Sequence, residues 1–416
     1  MGIKIGIVGF GEFSESFLDI FLTHPLVDEV VGAEIMPERR EHIKNKYGVK
    51  KMYASFDEML QGCDSLDSVG IFTQRHQHGP MIIQALKAGK HVFSAVPMSC
   101  EIDEAFEIIK LVKETGLTYM SAETCYYFPA AIYCREKYKS GAFGKFVYGE
   151  SQYYHDITEM FDSFSGSGGD SWKRIAGIPP MYYSTHSMSM MFLSVGEYPT
   201  EVSCFGFRDD IGDGIYGEGN NNWDNPFSNE SALFKMSGGG IARINEFRRC
   251  GTCKPSSYIT SLIGTHANYQ CAGMHHTFTL GPVFGQDASV EYVSNLINSK
   301  KYVEEKEKID LNTEPIKYDY HRGYSAVHDL SRLPAAHRDI PDGGHNGSHA
   351  FLVDDFVRAV VTRKLPPNNA WDSALCMIPG IIAHDSAMKG GVTLPIPFIG
   401  SAPEDFERLD YSDIKY

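Results

Sequence analysis

The chain predicts an α/β fold: an N-terminal Rossmann-type doubly wound parallel sheet, followed by an α+β domain on a large, mostly antiparallel sheet. Three observations carry this. The first third alternates short β-branched runs with helical periodicity, its first strand ends in a glycine-rich turn, and beyond residue 122 longer strand-like stretches replace the alternation. At 416 residues two domains are the default, and the boundary is expected between 1–122 and 123–416.

Ile3 to Val8 reads as the first strand, Gly9-Phe10-Gly11-Glu12-Phe13-Ser14 as the turn, and Phe17, Leu18, Phe21 and Leu22 as the buried stripe of the helix that follows. In a dinucleotide-binding unit the first glycine permits the turn, the second lets a pyrophosphate approach the backbone, and the third position needs a small side chain, here Ser14. A second strand, Glu29 to Glu34, ends in an acid about twenty residues on, placed to hold the adenosine ribose hydroxyls. A carboxylate there repels a 2′-phosphate, so NAD is expected over NADP, with Arg39 and Arg40 nearby keeping NADP open. The alternation continues through a helix at Pro37 to Tyr47, a strand at Ser68 to Phe72 and a helix at Pro80 to Ala88. It ends with a strand at His91 to Ser94, a helix at Ile102 to Glu114 and a strand at Thr118 to Ala122. Loops at the carboxyl ends of such strands line the cofactor crevice, which brings Thr73, Gln74, His76 and His78 together with Ala95, Val96 and Pro97 near the nicotinamide.

Further strands are expected at Phe146 to His155, Glu201 to Phe207, Ser231 to Met236, Ile241 to Arg248 and Tyr258 to Gly264, with Ser237-Gly238-Gly239-Gly240 as a hairpin turn and Gly212 to Asn229 as a long loop. Alternation along Phe146 to His155 sets Gly149, Ser151, Tyr153 and His155 on one side, opposite Tyr148, Glu150, Gln152 and Tyr154. Asp156 is placed to pair with His155 and set its tautomer. Met181 to His186 opens an apolar, methionine-rich helix on which Tyr182 and His186, four residues apart, share a face. Asp342-Gly343-Gly344-His345-Asn346-Gly347-Ser348-His349 precedes an amphipathic helix, can bring backbone and imidazole close to a ligand, and offers Ser348 as a capping side chain.

The formal net charge of −15 disfavours nucleic acid and anionic membrane surfaces, which need clustered cations. No apolar run is long enough to span a bilayer, and Met1-Gly2-Ile3-Lys4 does not open a signal peptide, so a cytoplasmic protein is expected. Nine cysteines at irregular spacing argue against a disulfide framework. The one pair with ligand-like spacing, Cys250 and Cys253, lacks a second pair, and His155, His186 and His345 lack the spacing of a local metal motif; no metal is expected.

The segment from Thr73 through Gly89-Lys90-His91-Val92 to Pro97 resembles the glucose-fructose oxidoreductase and inositol dehydrogenase family (Gfo/Idh/MocA), whose usual forms read T-P-N-x-x-H, G-K-H-V and E-K-P. The resemblance runs from residue 3 to about residue 400. It implies an NAD-dependent sugar oxidoreductase, a second domain whose sheet serves oligomer contacts, and a catalytic Lys-Asp-His set. Here the lysine is Val96 and the aspartate Tyr182, while His186 remains. The catalytic candidates are therefore His186, His155, Tyr182 and His345; the cofactor candidates are Gly9, Phe10, Gly11, Glu12, Phe13, Glu34, Thr73, Gln74, His76, His78, Ala95, Val96 and Pro97. The expected reaction is oxidation of a secondary hydroxyl of a sugar or glycoside at C3, His186 taking the hydroxyl proton because imidazole titrates near neutrality. Glycoside hydrolysis by transient C3 oxidation and elimination is the alternative, and a non-catalytic NAD-binding regulatory protein the reading from another class. The Ala-Val-Pro variant resembles a subgroup that includes bacterial 3-oxidases of plant glycosides, C-glucosides such as puerarin among them.

Overall fold

The structure, a computed structural model, describes residues 2–252, 256–282, 287–308, 323–340 and 344–416. Cys253, Asp342 and Gly343 lie outside the described residues. The chain forms two compact units, one from 1–124, 329–374 and 399–416, the other from 125–328 and 375–398. It leaves the first unit near the expected residue 122 and then returns to it twice.

The first unit is built on β1 (Ile3–Val8), β2 (Val27–Ala33), β3 (Met52–Tyr53), β4 (Ser68–Ile71), β5 (His91–Ser94) and β6 (Tyr119–Ser121), all parallel, in the order β3-β2-β1-β4-β5-β6. Every residue of β4, β5 and β6 is buried, as a strand covered on both faces requires. The helix at Pro37–Tyr47 spans the expected residues and closes on Gly48 in the left-handed region (φ 72°). β3 and the helix Phe56–Gly62, whose Ser55 hydroxyl caps the amide of Glu58 at 3.1 Å, lie outside the expected elements. Two residues are too few for any periodicity to show. Helix Ser348–Thr362 belongs to this unit, its buried Phe356 packing on Phe93 with ring centroids 5.3 Å apart. Gly347, not Ser348, is its N-cap; Ser348 is already inside the first turn, and its buried hydroxyl is not a cap.

The second unit carries β7 (Phe146–Tyr154), β8 (Pro199–Arg208), β9 (Phe227–Met236), β10 (Ile241–Phe247), β11 (Ser256–Gly264), β12 (Ala267–Ala272), β13 (His275–Leu280), β14 (Ser289–Tyr292) and β15 (Leu394–Pro395). Their order is β14-β13-β12-β11-β7-β10-β9-β8-β15. β7 pairs in parallel with β10, and the other pairings are antiparallel. The β9–β10 hairpin turns at the predicted glycines, Met236 donating to the Gly240 carbonyl at 2.9 Å. The almost wholly buried helix Thr185–Val195 lies on one face of the sheet, and Gly149 makes this approach possible: a Cβ there would sit 2.5 Å from the Met191 sulfur. The opposite face leaves Phe205, Phe207, Leu233 and Ile241 exposed. The glycine- and asparagine-rich loop is ordered from within. Buried Asn221 donates to the carbonyls of Ile215 and Asn225, and buried Asn225 to those of Gly177 and Phe227. Among the described residues no helix is long and apolar enough to cross a membrane.

Candidate active site

In the first unit the glycine turn has the shape that a pyrophosphate needs. Gly9 adopts φ 83°, where a side chain would be strained and its Cβ would meet the Phe72 carbonyl oxygen at 2.8 Å, whereas a Cβ at Gly11 would meet nothing within 4 Å. Gly11 is the N-cap of the helix Glu12–Thr23, so the positive end of the helix dipole opens at this turn. Ser14 satisfies the third position, buried with its hydroxyl donating to the Gly11 carbonyl at 2.8 Å. Glu34 is buried at the end of β2, and its carboxylate accepts from the amides of Phe10 (2.8 Å) and Met36 (3.0 Å). That fixes the carboxylate beside the turn, where it can also accept from ribose hydroxyls. Arg40 donates to the backbone carbonyls of Glu34 and Ile35, holding its guanidinium to the chain.

Thr73, Gln74 and His76 follow β4, and His78 starts the next helix, its Nδ1 2.7 Å from the Pro97 carbonyl and its Nε2 3.0 Å from that of Thr73. Burial pushes His78 down to about 4 although both carbonyls favour the protonated form; the neutral ring has one N–H, which donates to one of the two carbonyls, while protonation would let it donate to both. This imidazole ties the Thr73 loop to the Ala95-Val96-Pro97 loop. Ala95 and Val96 are themselves buried. His345 is also in the first unit, edge-on to Phe13 with centroids 5.6 Å apart. Its Nδ1 is 2.8 Å from Nε2 of His349, which stacks on Phe17 at 4.0 Å. Burial, with His345 next, pushes His349 well below its ordinary value, so the His349 imidazole is neutral. His345 and Asn346 both have positive φ (36° and 60°), and that backbone turns His345 onto Phe13.

The second unit brings His155 and His186 together around Tyr153. The Tyr153 ring meets His186 edge-on at 4.9 Å, and Tyr183 meets His186 at 5.1 Å. The Tyr153 hydroxyl lies 2.6 Å from His155 Nδ1, and His155 Nε2 lies 3.0 Å from Glu159. Glu159 takes the place expected of Asp156, which instead caps the turn Ile157–Met160 through the Thr158 amide (3.1 Å) and accepts from the amides of Cys250 and Gly251. The guanidinium of Arg248 stands 4.7 Å over the Tyr153 ring and 5.1 Å over Tyr183. Buried Glu246 anchors it at 3.1 Å and also accepts from Ser187. Burial raises the Tyr153 phenol well above its ordinary value, against the pull of Arg248, so it is a neutral donor.

Tyr182 and His186 do not share one helix face. Residues Pro180–Tyr183 form a separate 3₁₀ turn, and the α-helix begins at Thr185. The Tyr182 ring contacts Trp223 (6.4 Å) and His384 (5.5 Å), and Tyr183 is the tyrosine beside His186. His384 in turn donates through Nδ1 to buried Glu230 at 2.7 Å, whose other oxygen accepts from the Met181 amide at 2.8 Å. Tyr148 and Tyr154 take the other side of β7, the first bonded to Glu150 at 2.6 Å and the second stacked on Phe247 at 4.9 Å. Sequence reasoning missed Glu159, Tyr183, Glu246 and Arg248. The first two were one turn from expected residues; the last two depend on the parallel pairing of β10 with β7, which sets Glu246 beside Tyr153.

Residues 3–123 match the profile described as an oxidoreductase family with an NAD-binding Rossmann fold, GFO_IDH_MocA. A glycosyl hydrolase family 109 protein of Streptomyces filamentosus is 23% identical over 95% of this chain and 77% of its own length. An alpha-N-acetylgalactosaminidase of Shewanella oneidensis is 27% identical, but over 41% of this chain and 39% of its own. A levoglucosan dehydrogenase solved with NADH and L-sorbose superposes with a TM-score of 0.72 at 16% identity, covering 95% of this chain and all of that one (100%). The myo-inositol 2-dehydrogenase of Lactobacillus plantarum superposes at 0.63 with 18% identity, over 95% and 100% of the two chains.

Proposed function

We propose that this chain, whose residues 3–123 are the NAD-binding Rossmann domain of the Gfo/Idh/MocA oxidoreductase family, oxidises a secondary hydroxyl of a sugar or glycoside, at C3 of a pyranose. NAD is the cofactor, and when bound it accepts the hydride from the alcohol carbon. The observation that carries the proposal is the imidazole cluster: His186 and His155 meet around Tyr153 in a chain that has Val96 where the family has its lysine. An alcohol losing hydride must also lose its hydroxyl proton, and imidazole is a base of the right strength at neutral pH.

In this reading His186 lies against the reacting hydroxyl with Tyr153 beside it. Arg248, held by Glu246, places a fixed positive charge near oxygen that gains negative character as the proton leaves. Tyr182 and Trp223 offer an aromatic edge suited to a sugar ring, which makes Tyr182 a binding rather than a proton-transferring residue. On the cofactor side, Gly9 to Phe13 and Glu34 hold pyrophosphate and ribose. The loops of Thr73, Gln74, His76 and His78 and of Ala95, Val96 and Pro97 hold the nicotinamide end, and His345 packs on the dinucleotide through Phe13. A second copy of the chain on the open sheet face with Phe205 and Phe207 makes a homo-oligomer part of the same proposal.

The similarity to proteins named as a family 109 glycosyl hydrolase and an alpha-N-acetylgalactosaminidase favours one second reading. A C3 ketone acidifies the neighbouring C2–H, the anomeric substituent is eliminated, water adds, and the hydride is returned. Incubating the protein with NAD and a panel of O- and C-glycosides separates the readings by product mass. Loss of two hydrogens with accumulation of NADH is the expected result for oxidation; free aglycone with no net NADH marks hydrolysis, and no reaction with any glycoside contradicts both.

A further inference from the structure

Resting on that oxidation reading, we propose that Tyr153, His155 and Glu159 form an acid–base triad through which the substrate hydroxyl proton leaves the buried site, with Glu159 as its exposed, positioning member. The three groups form one line: the Tyr153 hydroxyl lies 2.6 Å from His155 Nδ1, and His155 Nε2 lies 3.0 Å from Glu159 Oε1. Chemistry sets the direction of each bond. A carboxylate only accepts, so in the neutral imidazole Nε2 carries the proton and donates it to Glu159, and Nδ1 is a lone pair that accepts from the Tyr153 hydroxyl. The line also grades from interior to water, Tyr153 being 8% exposed and the side chains of His155 and Glu159 13% and 46%.

The end of a strand and the short turn after it build this line. Tyr153 lies within β7, whose last residue is Tyr154, and His155 follows the strand's end. Asp156 caps the next turn through the Thr158 amide, which brings Glu159 back to the imidazole. Among the described residues the charged and titratable neighbours of Tyr153 include Arg248, Glu246, Tyr183, His186 and Cys125.

A phenol held neutral by burial passes a proton only by releasing its own as it receives another. With His186 holding the substrate hydroxyl beside Tyr153, the substrate O–H bond breaks and its proton bonds to the Tyr153 oxygen, while the Tyr153 proton moves to His155 Nδ1. The imidazolium so formed faces the Glu159 carboxylate, which stabilises it, and it then releases its additional proton to water, returning His155 to the neutral form. The electron pair of the breaking C–H bond leaves as hydride to oxidised NAD as the C=O bond forms. One proton and one hydride are thereby accounted for.

The test uses the NAD-loaded protein and a glycoside that the wild type oxidises. Glu159→Gln is expected to lower kcat about tenfold with KM within about twofold, Glu159→Asp to recover part of the loss, and Tyr153→Phe to lower kcat about a hundredfold. Side-chain ¹⁵N NMR of the resting protein is expected to show His155 protonated at Nε2, and a mixture of tautomers in Glu159→Gln. Wild-type kcat in both Glu159→Gln and Tyr153→Phe, or a resting His155 protonated at Nδ1, overturns the triad while leaving the oxidation reading intact. If the wild type oxidises no glycoside, that reading falls, and the NMR tautomer alone decides the triad.

Discussion

The two units place their chemistry by opposite routes. In the first, the candidate residues are consecutive in the chain and sit at the carboxyl ends of parallel strands: the turn after β1, Glu34 after β2, Thr73 to His78 after β4, and Ala95 to Pro97 after β5. In the second, they converge from the end of β7, the start of the helix Thr185–Val195 and the end of β10, elements joined by pairing rather than by succession. A parallel sheet turns sequence order into spatial order, because each crossover returns the chain to the same edge. A sheet with one parallel pair among antiparallel ones does not. The cofactor half is thus organised by local backbone, and the candidate catalytic half by side chains that must find one another.

If that contrast is right, the second unit should depend on its buried charges more than on its strands. Arg248→Met leaves Glu246 buried without its partner and is expected to cost about 3–5 kcal/mol in urea unfolding. Arg243→Met, removing the half-exposed partner of Glu150 on the other sheet face, should cost less than about 1 kcal/mol. Equal costs would mean that the Arg248 ion pair is not what holds the cluster.

Acid should attack the first unit, where burial pushes His78, His91 and His337 down from the ordinary 6.5 to about 4. Because their folded values are depressed, the unfolded chain binds more protons between these limits. Their stabilising effect is full above about 6.5 and lost as pH falls to about 4, on the order of 3 kcal/mol for each imidazole. Hydrogen exchange at pH 5 is expected to show β1, β4 and β5 losing protection before β7, β9 and β10. The reverse order would break the comparison.

Smaller effects sharpen it further. Glu34→Gln keeps the shape but weakens the acceptor, so NADH affinity by fluorescence titration should fall about tenfold, with no change in the fold of the second unit. Tyr183→Phe and Tyr182→Phe separate two neighbours. The first, beside His186 and Arg248, should alter kcat about threefold, and the second should alter KM alone by about twofold.

The same contrast explains what could be read from the chain. The glycine turn, Glu34 and the alternation of strand and helix were readable because each is local. Reading Tyr182 with His186 assumed an unbroken helix, and the 3₁₀ turn after Pro179-Pro180 broke it. Assigning Asp156 to His155 followed adjacency, whereas Asp156 was already committed to the turn it caps. His345 belongs to the first unit because the chain returns there after residue 328, a path that no periodicity records.

The central claim is that the imidazole cluster, not a lysine, handles the proton in NAD-dependent sugar oxidation. Single-turnover reduction of bound NAD by an active glycoside, followed in the wild type and in His186→Ala, tests it directly. The account predicts a loss of about a hundredfold or more in the rate of NADH formation, with NADH affinity unchanged. An unchanged rate in His186→Ala would contradict it.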